Sequence, residues 1–255
     1  VAESEREGEW ELYPTQLNED GNPAVVLFEA TVAGEAPLES HDHLTRVIVT
    51  LQDPDPETML VQASESKVLY AMEDALVKKM TGDFGARYVG RVATLGVCDF
   101  AFYLPAPDGL EAALTKVMGA WPKYEYELDS HKDTEWEFYG TILFPSREEW
   151  QWIMDNRVVN SLEDQGDPLE TSRKVDHHLD LPDKESVDKF MDGLAGFKLV
   201  GTEPNEEGGL TIQISGEHAA DLDTVQGMTL FLLDRAEELG GDYDGWGCAV
   251  MESEG

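Results

Sequence analysis

Positive charge and cysteine are both scarce in this sequence. Only 18 of its 255 residues are Lys or Arg, against 53 Asp and Glu, for a formal net charge of −35. No basic stripe interrupts the acidic background. Direct nucleic-acid binding is therefore not expected, because neutralising phosphates needs clustered Lys and Arg. The two cysteines, Cys98 and Cys248, fall in different halves and suit reduced thiols in a cytosol better than a disulfide framework. Apolar runs such as 24–28 and 230–233 are far too short for the roughly 20 residues of a bilayer span. Residues 1–10 are acidic and lack the apolar centre of a signal peptide, so a cytoplasmic location is expected. No phosphate-cradling glycine loop, His-Glu-x-x-His helix or Gly-x-Ser-x-Gly elbow is present. The motifs thus imply neither a cofactor nor a metal, although a catalytic triad can assemble from residues distant in sequence.

What the sequence does have is enough apolar material to fold. Hydrophobic residues make up 41 % of it, including 6 Trp, 8 Tyr and 9 Phe. Disordered acidic chains are usually poor in such residues. The acids outnumber the bases in both halves, so the charge is a surface property and not a tail. Such a surface repels itself, and concentrated salt, with a screening length of about 3 Å at 1 M, relieves the repulsion. A halophilic, salt-rich cytoplasm is the simplest reading; an acidic surface made to meet a basic partner is the competing one.

Periodicity divides the chain into two α+β domains. An acidic arm is expected over 1–9. Strands are expected over 10–17, 24–32 and 44–51, a helix over 66–80 that Gly82 stops, and a hairpin over 87–92 and 97–104. Asp108 and Glu111 have capping-box spacing ahead of a short helix, and a strand over 123–128 closes the first domain, 10–128. Residues 129–133 are read as the linker and 134–255 as the second domain. There, 136–144 reads as a strand, and Ser146 and Glu149 open a helix whose face is Trp150, Ile153, Met154, Val158 and Leu162. Then follow a strand (173–181), a helix (183–195), two strands (197–203 and 210–215), a helix (221–239) and a strand (243–251). The order βαββαβ predicts a ferredoxin-like domain, an antiparallel sheet with both helices on one face. Residues 10–17 and 136–143 share an aromatic pattern that would fit a duplicated edge strand.

Four blocks carry a family resemblance: Val159-Asn160-Ser161-Leu162, Gly166-Asp167-Pro168-Leu169, Val175-Asp176-His177-His178 and Tyr243-Asp244-Gly245-Trp246-Gly247. From Arg157 onward the chain resembles the regulator of ribonuclease E activity B family. That resemblance implies a protein that binds an endoribonuclease of RNA turnover and lowers its activity without cutting anything itself. Gly85-Ala86-Arg87-Tyr88-Val89-Gly90-Arg91 and Asp99-Phe100-Ala101-Phe102-Tyr103 make the first half similar to an uncharacterised family often fused ahead of such a domain.

Candidate chemistry is sparse. His177 and His178 are neighbours on a strand and must point to opposite faces, one packed and one at the surface, with Asp176 on the face of His178. His41-Asp42-His43 has the spacing of a zinc pair, but no third ligand lies nearby in sequence. Asp244-Gly245 suggests a bulge at which a partner can approach the backbone, and Tyr243 and Trp246 are residue types that anchor interfaces. Asp176, His177, His178, Tyr243, Asp244, Gly245 and Trp246 are therefore the partner-binding candidates. The expected function is a regulator that binds another protein. The alternatives are an enzyme with a site between its domains that uses His178 or His43, and a structural or assembly protein.

Overall fold

The computed structural model describes residues 8–17, 20–206 and 208–251. Most of the expected acidic arm, with Glu3, Glu5 and Glu7, lies outside the described residues. The chain divides into two compact units, Val1–Glu149 and Trp150–Gly255.

The first unit is a six-stranded antiparallel sheet of β1 (Trp10–Leu17), β2 (Asn22–Glu29), β3 (His43–Thr50), β4 (Arg87–Thr94), β5 (Val97–Leu104) and β6 (Tyr126–Lys132), in the order β1-β2-β4-β5-β3-β6. Strand alternation gives it two apolar faces. On one face, Val47, Val49, Cys98, Phe100, Phe102 and Leu104 pack against α1 (Ala63–Phe84) and α2 (Leu110–Met118). Leu69, Met72, Leu76 and Met80 form the buried stripe of α1. The helix runs past Gly82 and ends at Gly85, whose φ of 60° is the left-handed stop. The expected capping box of α2 does not form: Gly109 occupies the cap, with no side-chain bond. In β4, Gly90 (φ 151°) sits where a Cβ would lie 2.2 Å from the Leu27 carbonyl oxygen, so only glycine lets β2 and β4 approach there.

The second face holds the main departures from expectation. Residues 136–144 do not form a strand. Asp133 accepts hydrogen bonds from the backbone of Glu137 (2.8 Å) and Phe138 (3.1 Å), starting a helical segment that widens into a π-type turn over Tyr139–Leu143. The alternating aromatics there serve packing and not strand pairing. Trp136 stacks on Tyr103 at 3.9 Å, Phe144 meets Phe28 edge-on, and the Tyr139 hydroxyl donates to the Glu29 carbonyl at 2.9 Å. The parallel with 10–17 is therefore one of composition, since Trp10–Leu17 is a strand. Nor is 129–133 a linker. Asp129, Ser130, His131 and Lys132 pair with Arg46, Thr45, Leu44 and His43, continuing β6 along β3. A polar, half-exposed edge strand carries little hydrophobic signal and reads as a loop.

The second unit begins within α3 (Arg147–Asp164), whose Ser146–Glu149 capping box forms in both directions. Its order is β7 (Arg173–Leu181), α4 (Lys184–Met191), β8 (Lys198–Pro204), β9 (Leu210–His218), α5 (Leu222–Glu237) and β10 (Asp242–Cys248). The sheet order β10-β7-β9-β8, antiparallel throughout, is the ferredoxin-like arrangement. Asp183 and Asp221 cap α4 and α5 by accepting from Ser186 N and Thr224 N. Leu179, Leu181, Ile212, Ile214 and Tyr243 pack against Val187, Phe190, Leu232 and Leu233 of these helices. Val175 and Trp246 pack with Val159 and Leu162 of α3. The unit's three helices thus share one sheet face, and among the described residues of this unit no helix lies on the other.

Candidate partner-binding surface

Strand β7 sorts its residues by parity. Val175, His177, Leu179 and Leu181 are buried, while Asp176, His178 and Asp180 lie half-buried on the helix-free face. The two histidines separate as the alternation requires, His177 inward and His178 outward.

His177 is fully buried and belongs to a chain of polar groups. Its Nδ1 lies 2.7 Å from the Tyr243 hydroxyl and its Nε2 lies 3.1 Å from Nε2 of His218, whose Nδ1 is 2.7 Å from the Ala219 carbonyl. The carbonyl can only accept, so His218 Nδ1 donates to it. With both rings neutral, His177 Nε2 then donates to His218, and the Tyr243 hydroxyl donates to His177 Nδ1. Burial, followed by the neighbouring His218, pushes the pKa of His177 down to about 3.

Trp246 is also buried, and its indole N–H donates to Oδ1 of Asp155 at 2.9 Å. The same carboxyl accepts from Gln151 Nε2 (2.8 Å) and Thr229 Oγ1 (2.6 Å). No cation is among these partners, and burial raises the Asp155 pKa despite the three hydrogen bonds. Asp155 therefore ties α3 to α5 and β10. It also shows that the buried side of α3 is rotated from the expected face: Trp150 and Met154 are partly exposed, while Gln151, Ile153, Asp155, Val159 and Leu162 are inside.

The seven candidates thus divide. His177, Tyr243 and Trp246 support the sheet from within. Asp176, His178 and Gly245 share the helix-free face, and Asp244 is exposed at a bulge between Tyr243 and Gly245, where Gly245 takes a φ of 144°. His178 sits between Gln213 of β9 and Gly245 of β10, and Asp176 between Ser215 and Gly247. Three glycines, 201, 245 and 247, lower the relief around these side chains. The face offers fixed acceptors: Asp176 takes hydrogen bonds from Ser215 and Lys174, and Asp180 from Thr211 and Asn205. The Ser215 bond and then the Lys174 bond, against a desolvation penalty, hold the Asp176 carboxyl below its usual value. The arrangement suits contact with hydrogen-bond donors or cations on another molecule.

Asp180, Gln213, Ser215 and His218 were not among the sequence candidates. The signal for them was parity, since β9 pairs with β7 residue for residue, Asp176 with Ser215 and His178 with Gln213.

The motif Gly166-Asp167-Pro168-Leu169 has a structural role. Asp167 pairs with Arg173 at 2.6 Å and accepts from Met251 N at 2.7 Å, while Arg173 also donates to the Pro168 and Thr171 carbonyls. The zinc reading of His41 and His43 finds no further ligand. His41 Nε2 is 2.9 Å from the Gly85 carbonyl, and His43 Nδ1 is 2.7 Å from Asp42. Among the described residues, no group of three or more His, Cys, Asp or Glu is placed to hold a metal, and no helix is long and apolar enough to cross a membrane.

Comparison with known proteins gives each half a relative. Residues 8–144 match a family of unknown function, DUF695, and residues 152–248 match the family described as regulator of ribonuclease activity B. A protein of Aeromonas hydrophila named regulator of ribonuclease activity B is 32 % identical over 104 residues, which cover 37 % of this chain and 88 % of that protein.

Proposed function

Because the chain belongs to the family of unknown function DUF695 through its first half and to the regulator of ribonuclease activity B family through its second, we propose that it is a protein-binding regulator of an endoribonuclease or RNA-processing factor and not an enzyme. The observation that carries this reading is the coincidence of the second match, 152–248, with one compact unit, Trp150–Gly255. The whole regulator fold is available as a module. Its contact face is the helix-free side of the sheet, where Asp176, His178, Asp180 and Asp244 meet donors on the partner. His177, Tyr243 and Trp246 keep that face in register from behind. The protein works in a salt-rich cytoplasm, and its acidic surface is an adaptation to that solvent, consistent with a net charge of −35.

The test is affinity capture with the full chain in molar KCl, followed by RNA cleavage with the captured nuclease. The expected result is a saturable fall in cleavage rate, with at least tenfold weaker binding by the double variant Asp176→Asn, His178→Ala. Recovery of no RNA-processing protein, or unchanged cleavage by a nuclease that is recovered, contradicts the proposal.

A further inference from the structure

The first unit has a cavity that this reading does not use. Six strands about 4.8 Å apart place the outer two about 24 Å from each other, whereas two packed helices cover roughly 20 Å. Here α1 and α2 run short at the β1–β2 end of the sheet. A pocket of about 210 Å³ opens there, walled by Leu12, Leu27, Leu69, Tyr70 and Phe100. Leu12 and Tyr70, 41 % and 43 % exposed, stand at its lip.

Its charged lining is one pair, with Ser66 also on the wall. Glu73 of α1 is completely buried and accepts from the Tyr88 hydroxyl at 2.6 Å and from the guanidinium of Arg91 on β4. Arg91 in turn lies over the Tyr70 ring, 5.3 Å from its centroid. Both charged residues line the pocket. A buried ion pair is a weak source of stability compared with well-packed apolar side chains.

We propose that this pocket binds a small uncharged amphipathic molecule, apolar along its body and ending in one hydroxyl- or amide-type head that meets the Glu73–Arg91 pair. Size sets the first limit, since the volume lies below the roughly 300–1,000 Å³ of drug-sized sites. Charge sets the second. Glu73 and Arg91 face each other, so a charged head of either sign meets a like charge on the wall, whereas a neutral head can donate to the carboxylate or accept from the guanidinium. The binding is non-covalent. The one thiol on the wall, Cys98, is fully buried, and burial pushes its pKa up to about 12, which leaves almost no thiolate at neutral pH. This site lies in the first unit, so its success or failure is independent of the ribonuclease reading.

The test uses the full chain in molar KCl with three probes of one shape: 2-phenylethanol, phenylacetate and 2-phenylethylammonium. Titration is followed by calorimetry and by the NMR signal of the Arg91 Nε–H. The expected result is one saturable site for 2-phenylethanol, at least tenfold tighter than for either charged analogue, with a shift of the Arg91 signal. Ala93→Leu, which fills the wall, and Leu12→Arg, which closes the exposed lip without entering the core, each weaken binding at least tenfold. Equal or tighter binding of a charged probe, no saturation by the alcohol, or unchanged affinity in Leu12→Arg overturns the proposal.

Discussion

One buried carboxylate in each unit, Glu73 in the first and Asp155 in the second, is held in the opposite way to the other. In the first, the Glu73 carboxylate faces the Arg91 guanidinium. Burial disfavours the Arg91 charge, but Glu73 and its neighbours outweigh this and raise its pKa, so it stays charged at any ordinary pH. In the second, Asp155 has only neutral donors, and the buried His177 ring is hydrogen-bonded to Tyr243 and His218. A paired charge makes each partner indispensable to the other. A neutral network tolerates an uncharged substitute but responds to pH.

The largest expected effect follows from the first unit. Glu73→Gln removes the carboxylate that the buried Arg91 guanidinium faces and lowers stability by about 3–5 kcal/mol. Denaturant unfolding in high salt measures it, and a loss below about 1 kcal/mol would erase the distinction between the two carboxylates. Asp155→Ala orphans the Trp246 indole N–H among other donors and costs about 2–3 kcal/mol. Asp155→Asn is the counterpart of Glu73→Gln. Its carbonyl still accepts from Trp246 and Gln151, and its amide can donate to Thr229, whose hydroxyl has the Gln226 carbonyl as an alternative acceptor. Stability at neutral pH then stays within about 1 kcal/mol of the wild type.

Titration sharpens the comparison. His177 has a folded pKa of about 3, below its unfolded value of 6.5. Its contribution is therefore complete above pH 6.5 and is lost at up to about 1.4 kcal/mol per pH unit as pH falls toward 3. His177→Gln flattens that part of the stability profile; a slope equal to the wild type's would contradict the buried neutral ring. Asp155 has the opposite sign. Its folded pKa is raised, so its contribution fades as pH rises from the unfolded carboxyl value through the folded one, and Asp155→Asn gains on the wild type over that window. The smallest effect per residue is that of salt. The melting temperature should fall as KCl is reduced from molar to millimolar, and an unchanged value would remove the salt-adaptation reading.

Much of the second unit was legible because its signals are local. The period-2 pattern of β7 and β9, the capping residues Asp183 and Asp221 and the Ser146–Glu149 box each act within a few residues. The same parity put His177 and His178 on opposite faces, and the helices decide that His177 is the inner one. The misread segments depend on distant partners. Residues 136–144 fold as they do because Tyr103, Phe28 and Glu29 receive them, far away in sequence. The face of α3 is set by Trp246, 91 residues beyond Asp155. The pairing of Glu73 with Arg91 joins a helix to a strand, and helical periodicity gives no sign of it. The site was legible only as a set of neighbours along two strands. Which of them reach the surface depended on the position of the helices.

The most direct test of the account is the rate of RNA cleavage by the captured endoribonuclease as the full chain is titrated in molar KCl. A saturable decrease that the Asp176→Asn, His178→Ala variant fails to reproduce at equal concentration is the predicted result. A rate unchanged over the whole titration would contradict it.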